Sequence, residues 1–520
     1  MVYRLALAAL LLLAAPARAQ VAPVFTFHMP QQGGYGGTVR AADGLLFVQT
    51  PFPHTIYALD LAGHVRWSRI PDADPMALGQ DCCGTVQDGP TLDAGRLYLN
   101  TFDGHTLALD APTGAVLWDV RTADPAKGET LIEPPLPAGP ALIVGSAGDD
   151  FAARGWVEAL DPATGRTLWR RFNTGPDADV GIQRGDDLGV ATWPPQAWQQ
   201  GGGSTRGLVF DQADNLLIHA TGHPAPWNPE QRDGDNRWTS GLFARDPATG
   251  AVRWFAPISP HDRYAFGASP STIPTDLGLL HPDGNGDLYV LDPATGQTRS
   301  AQPFVPVNTL TGPLQPDPAK DLHHNRTTRD ICPGWPGATG PGRAAYAAGL
   351  LYIPANLLCM DMEARTANAI PGTAFMGSAL RMKPGVGGKR GALIAWDVAA
   401  GKPRWTHDEP YPVVGGVAVA DGLVLYGTLD GWLRGLDAQT GALRWQYQAD
   451  TGIIGAPTIF AAPDGRRYVA ILSGLGGVGR VAWPEIDLRD ATADHGYANV
   501  LRDLPEQETP GGTLIVLPLP

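Results

Sequence analysis

One phrase recurs along the chain, and it constrains the fold more than any other feature. It reads ALDLAGHVRW ending at Trp67, ALDAPTGAVLW at Trp118, ALDPATGRTLW at Trp169 and ARDPATGAVRW at Trp254, then VLDPATGQTRS at Ser300, AWDVAAGKPRW at Trp405 and GLDAQTGALRW at Trp445. Each copy has an apolar strand ending in Asp, a turn closed by Gly, and a second strand that carries Trp to the same place. That is the chemistry of a β-hairpin. Most copies follow a further apolar strand, such as GLLFVQT, GRLYLNT or GLVLYGT. The unit is therefore a four-stranded antiparallel blade of roughly 40 to 50 residues, and a chain of such units closes into a β-propeller. Seven copies are visible, and the gap between Ser300 and Trp405 leaves room for one more near AAGLLYIPANLLCMD. The expected fold is all-β, an eight-bladed β-propeller of four-stranded antiparallel blades, with the repeated Trp packing between neighbours.

Composition agrees with many short strands and tight turns, since 65 Gly and 49 Pro are spread along the chain. With 52 acidic against 38 basic side chains the net charge is −14, which argues against nucleic acid and favours cationic partners. The opening MVYRLALAALLLLAAPARAQ reads as a secretory signal peptide over residues 1–19, cut after Ala19. No later run is long enough to span a bilayer, so a periplasmic or secreted protein without a membrane span is expected. Residues 20–520 are then a single propeller domain, with loop inserts near 186–206, 223–238 and 302–342 that break the period and suit a functional face. An oxidising compartment allows the four cysteines to form two disulfides. Cys82 and Cys83 are adjacent, at about 3.8 Å between Cα atoms. A bridge there would be strained and would mark a functional site, whereas two buried thiols would be ordinary.

Longer stretches are more specific: TPFPHTIYALDLAGHVRW, DPAKGETL, FNTGPDADVG, GHPAPWNPEQRDGDNRWT, ISPHDRYAFG, YIPANLLCMD, YGTLDGWL and TGIIGAPTIF. In these the chain resembles the periplasmic quinoprotein alcohol and methanol dehydrogenases, over nearly all of residues 20–520. The resemblance implies an eight-bladed propeller holding pyrroloquinoline quinone (PQQ) with a calcium or lanthanide ion. It also implies oxidation of primary alcohols, with electrons passing to a cytochrome c. It further implies a ring disulfide between Cys82 and Cys83 against one face of the quinone, and a second disulfide between Cys332 and Cys359.

The same alignment places different residues at the family's reactive positions. A metal-ligand Glu falls on Asp150, the metal-binding Asn on His223, and a cofactor-contacting Ser on Ala147. The catalytic Asp falls on Ala265, and the extra Asp of lanthanide-type enzymes falls on Gly267; Asp262 matches an Asp outside the reacting centre. Two cofactor-binding arginines fall on Asp88 and Gly284, and an N-terminal Glu contact aligns with Tyr35. The Trp that stacks beneath the ring is missing from GGGSTRG, which leaves Arg206 nearby. The family's KNW reads TGP at 339–341, and a further Trp is Val478. Calcium and lanthanides want oxygen ligands, whereas imidazole suits transition metals. Asp150 and His223 are thus the remaining metal candidates, Cys82 and Cys83 the remaining cofactor contacts, and no catalytic residue is retained. His323 and His324 read as a solvated loop, with no further ligand at metal spacing.

Scaffold motifs survive while the reactive positions have changed, and fold alone does not carry function. The sequence therefore points to a catalytically degenerate homologue that acts in ligand or partner binding. A periplasmic cytochrome c or another periplasmic protein is the expected partner. The alternative is an active PQQ-dependent oxidoreductase with a rebuilt cofactor and metal site.

Overall fold

The computed structural model describes residues 21–80, 88–183, 185–340, 342–475, 500–505 and 510–519. Among them are eight four-stranded antiparallel sheets, one per blade. Blade 1 is typical, with Arg40–Ala42, Leu45–Gln49, Ile56–Asp60 and Val65–Arg69 paired in order. Its second strand is buried almost throughout, and its outer strand is mostly exposed. That gradient is what a sheet standing edge-on to a central axis requires. The apolar core is accordingly divided among the blade-to-blade interfaces. Phe47, Ile56 and Ala58 of blade 1, for example, pack on Leu97, Leu99, Leu107 and Leu109 of blade 2.

The recurring phrase is the device that joins the blades. The indole N–H of Trp67 donates to the carbonyl of Ala111 at 3.0 Å, and those of Trp118, Trp169, Trp254 and Trp405 reach Pro162, Pro247, Pro293 and Ala438 at 2.9–3.1 Å. Every acceptor directly follows the Asp of the next copy. Each ring also lies on the Gly of that next turn. A Cβ on Gly114, Gly165, Gly250, Gly296 or Gly441 would come within 2.5–2.7 Å of the Trp ring below it. These glycines also have φ between 69° and 73°, a conformation that favours Gly. Where blade 5 carries Ser300 in place of Trp, the side chain of Gln302 covers Gly401 instead. The Asp closes the turn: in Asp246, Asp292 and Asp437 one oxygen accepts the Thr backbone N–H and hydroxyl three residues on.

Blade 8 sits where the repeat does not reach. Its strands are Thr458–Ala461, Arg467–Ser473 and Gly512–Pro518, and its outermost strand is Phe25–Met29. The expectation of a further blade near AAGLLYIPANLLCMD is corrected here. Leu350–Asn356 is the second strand of the blade that carries Trp405, and Leu358–Ala364 belongs to an added sheet with Thr328–Ile331 and Ser378–Pro384. The eighth blade escapes the pattern because its outer strand comes from the opposite end of the sequence. Phe25 there covers Gly63 of blade 1, doing for the last interface what Trp does elsewhere.

The added sheet carries the disulfide Cys332–Cys359, with Cα atoms 4.5 Å apart. Among the described residues no helix is long and apolar enough to cross a membrane. The expected signal peptide lies outside the described residues.

Candidate functional site

All eight blades send the segment that leads into their first strand to the wall of one axial cavity of about 670 Å³. Among their lining residues are Thr38 and Arg40, Asp88, Glu133, Arg206, Ser269, Arg343, Val414 and Ile454. Loops close it further with Phe102, Phe151, Phe266 and Trp335, which give the wall an aromatic character. Trp335 is itself stacked on Trp227, with ring centroids 5.7 Å apart. A long chain of short strands thus converges its loops on one site, as propellers do.

Asp149 and Asp150 enter this wall on the 3-10 turn Asp149–Phe151, which follows Gly148. Both carboxylates are already engaged by the protein. Asp149 accepts the Ser204 backbone N–H at 2.6 Å, the Ser204 hydroxyl at 2.6 Å and an Arg206 N–H at 3.0 Å. Gly222 is obligatory beside it, because a Cβ there would lie 1.9 Å from the Asp149 carboxylate. Asp150 Oδ1 accepts the Trp227 indole N–H at 2.7 Å and lies 3.3 Å from His223 Nε2. The second His223 nitrogen faces the Pro224 carbonyl at 3.2 Å, so both ring nitrogens have acceptors, the geometry of an imidazolium. Burial opposes charge on His223, but the attraction and hydrogen bond of Asp150 outweigh it and raise its pKa above the ordinary value. Burial likewise opposes charge on Asp150, and His223, Trp227 and Arg206 together hold its carboxyl below the usual range.

The sequence candidates Asp150 and His223 are therefore brought together, but against each other. A calcium or lanthanide ion takes six to eight oxygens. Among the described residues no group of three or more His, Cys, Asp or Glu side chains is placed to hold a metal. The donor set here is an ion pair plus a carboxylate saturated by Ser204 and Arg206, and it does not fit such an ion. Ala265, which the resemblance aligns with the family's base, is buried and offers only a methyl group. At Gly267, whose φ is +63°, a Cβ would meet the His223 backbone N at 2.9 Å and Arg206 Nη1 at 3.1 Å, so a side chain there is disfavoured by the backbone itself. Asp262 is buried and shapes its own loop, accepting from the Ser240 hydroxyl and the backbone of Tyr264 and Gly267.

Across the cavity stand residues that the sequence reading did not single out. Glu133 Oε2 lies 2.7 Å from Arg343 Nη2, and its other oxygen accepts the Gly207 N–H at 3.1 Å. Arg40 donates through Nε to the Pro90 carbonyl at 2.8 Å. These three could not be found by motif, because single charged residues before a strand are common. Asp88, which the resemblance aligns with a cofactor-binding Arg, lines the same wall. Gly284 leaves bare backbone in the wall, and Ala147 and Thr339 also line it. Tyr35 does not: it is buried, and its hydroxyl donates to the Gln31 carbonyl at 2.8 Å. His323 pairs with Glu230 at 3.1 Å on the surface. Cys82, Cys83 and Val478 lie outside the described residues; Gln80 and Asp88, which bracket the cysteines, both line the cavity.

An eight-bladed propeller with all blades converging on a deep, aromatic axial cavity defines the class, that of the quinoprotein dehydrogenase propellers. A family model described as outer membrane protein assembly factor BamB matches residues 18–192 and 284–482. The chain is 36% identical to a lanthanide-dependent methanol dehydrogenase of Methylacidiphilum fumariolicum, across 94% of this chain and 86% of that protein. It is 34% identical to methanol dehydrogenase [cytochrome c] subunit 1 of Methylobacterium organophilum, across 96% and 87%. A solved europium-containing methanol dehydrogenase superposes with a TM-score of 0.90 at 34% identity, covering 96% of this chain and 93% of that one. The chain belongs to the family of PQQ-dependent methanol and alcohol dehydrogenases.

Proposed function

We propose that this propeller is an exported, non-catalytic member of its family that binds a ligand in the axial cavity and does not oxidise alcohols. One observation carries the reading. At the position that the resemblance gives to the metal, the structure has two protein cations, with Arg206 on Asp149 at 3.0 Å and His223 beside Asp150 at 3.3 Å. Removing the ion alone would leave carboxylates unpaired, at a cost of several kcal/mol if they are buried. Here Arg206 and His223 stand beside the carboxylates and the resemblance aligns an acid position with Gly267, which supports a site rearranged as a set. Nor do the walls suit a planar tricarboxylate. Glu133 engages Arg343, a carboxyl stands at Asp88, and backbone alone is present at Gly284.

A second reading is favoured by the close match to active relatives. In it the protein is a PQQ-dependent oxidoreductase with a rebuilt site that passes electrons to a cytochrome c. One experiment separates the two. Purified protein is reconstituted with PQQ and calcium or lanthanum, its absorbance spectrum recorded, and dye-linked oxidation of primary alcohols assayed. The proposal expects neither a bound quinone band nor turnover; alcohol-dependent dye reduction above that of free PQQ would refute it.

A further inference from the structure

We propose that the axial cavity binds a planar, apolar monocarboxylate, with its carboxylate seated on Arg40 beside Asp88 and its body against the aromatic wall. This rests on the reading of the protein as a ligand-binding propeller and names the class of ligand.

The argument is one of charge balance inside an apolar cavity. Three of its acidic side chains have partners: Glu133 with Arg343, Asp149 with Arg206, and Asp150 with His223. Two charged groups are left over. Arg40 uses Nε on the Pro90 carbonyl and has no carboxylate within 4.0 Å among the described residues, so the two terminal nitrogens of its guanidinium are open to a ligand. The Asp88 carboxyl accepts no hydrogen bond from the described residues, although its backbone carbonyl is held by Thr38. Burial destabilises the Arg40 cation and the neighbouring charge of Arg343 adds to this, while the charge of Asp88 offsets part of it. An anion on Arg40 would supply the compensation that Asp88 gives up when it is protonated.

The charged groups that face Asp88 are Glu133, Arg343 and Arg40. Burial first, and then repulsion from Glu133, push its carboxyl up to about 7 against the pull of the two arginines. With its pKa raised, Asp88 is neutral toward the acid side; the charges of the described lining residues then leave one uncompensated positive charge, and the Asp88 O–H is a donor for a second carboxylate oxygen. Above pH 8 it is an anion where the ligand's anion would lie. A tricarboxylate brings three charges to one open guanidinium, so a single carboxylate matches the cavity better. The cavity, at about 670 Å³, has room for a fused-ring body between Phe102, Phe151, Phe266 and Trp335.

The probe is 2-naphthoate, with 2-naphthamide as its uncharged counterpart, titrated calorimetrically into the mature protein at pH 6.0 and pH 8.5. Naphthoate is expected to bind at least tenfold tighter than the amide at pH 6.0. It should lose up to about 30-fold in affinity by pH 8.5, the change in the protonated fraction of a group titrating near 7. Arg40→Gln should weaken naphthoate tenfold or more and leave the amide unchanged. Asp88→Asn should keep the binding and abolish its pH dependence. Equal affinity for naphthoate and naphthamide, or no naphthoate binding at pH 6.0, would overturn the proposal even if Arg40→Gln failed to fold. A pH dependence that persisted in Asp88→Asn would overturn the part given to Asp88. Failure of this proposal is separable from failure of the functional reading. Alcohol oxidation with PQQ defeats the functional reading, whereas absent naphthoate binding without alcohol oxidation defeats the carboxylate assignment alone.

Discussion

Arg343 and Glu133 stand 210 residues apart in the sequence and meet at 2.7 Å across the axial cavity. They belong to the lead-in segments of the sixth and third blades, so their pairing ties two blades that are not neighbours in the ring. Glu133 also receives the Gly207 N–H from the fourth blade. Removing the Glu133 carboxylate leaves a guanidinium and a backbone donor without it. Because Arg343 is 40% exposed, water recovers part of the loss. Glu133→Ala is expected to cost about 1–2 kcal/mol in urea unfolding. No measurable change would show that the pair contributes nothing to closure of the ring.

The donor set around Asp150 and His223 predicts that calcium and lanthanum leave stability unchanged. An ion bound tightly, at 100 times its Kd, would add about 2.7 kcal/mol. Thermal melts with and without millimolar calcium or micromolar lanthanum are therefore expected to coincide. A saturable rise in Tm with either ion would contradict the reading of the ion pair as the metal's replacement.

Restoring one acid should not restore chemistry. Ala265→Asp returns a carboxylate to a buried position packed among Phe266, Tyr264 and Trp227, yet it leaves Arg206 on Asp149 and His223 on Asp150. Dye-linked alcohol oxidation by Ala265→Asp, with PQQ and metal supplied, is expected to stay at background. Turnover in this single variant would mean that the metal seat is intact.

The interblade lock predicts a uniform effect of the repeated Trp. Trp254 is 8% exposed, fills the space over Gly296 and donates to the Pro293 carbonyl. Trp254→Ala is expected to destabilise by about 3 kcal/mol or more, through the cavity and the lost hydrogen bond. Trp254→Phe, which loses the N–H and keeps most of the ring, should cost distinctly less. Equal losses in the two variants would assign the effect to the hydrogen bond rather than to packing.

His54 makes acid destabilising. It is buried and neutral, its Nε2 accepts the Phe102 N–H at 3.2 Å, and burial lowers its pKa to about 4 despite the pull of Asp103. In the unfolded chain the imidazole titrates near 6.5, so between about 6.5 and 4 the unfolded state holds the extra proton. Stability from this group is full above pH 6.5 and falls as pH drops toward 4, by up to about 3 kcal/mol. His54→Gln should flatten that limb of a pH–stability curve; an unchanged slope would remove His54 from the acid response.

The resemblance led to the Cys332–Cys359 pairing, which the structure has, and it put Asp150 and His223 forward together. It could not show that His223 would turn its Nε2 to Asp150, because that depends on Trp227, which the inserted loop carries to the same carboxylate. Tyr35, aligned with a cofactor contact, lies buried at the joint between the first and last blades, not in the cavity.

The all-β class, the blade as a unit and seven of the blades were determined by the sequence alone, because hairpin chemistry is local: Asp, Gly and Trp act within about a dozen residues of one another or on the adjacent copy. Where the eighth blade lies was decided only by the tertiary structure, since Phe25–Met29 pairs with Gly512–Pro518 across nearly the whole chain and neither segment carries the repeat. The same holds for the cavity's charges. Arg40, Glu133 and Arg343 are scattered and unremarkable in sequence, and their partnership with one another and with Asp88 follows from a ring that brings the lead-in segments of eight blades to one axis. Local pattern specifies local structure, whereas which charge meets which is set by long-range closure, and so the site's electrostatics could be read only once the ring was in view.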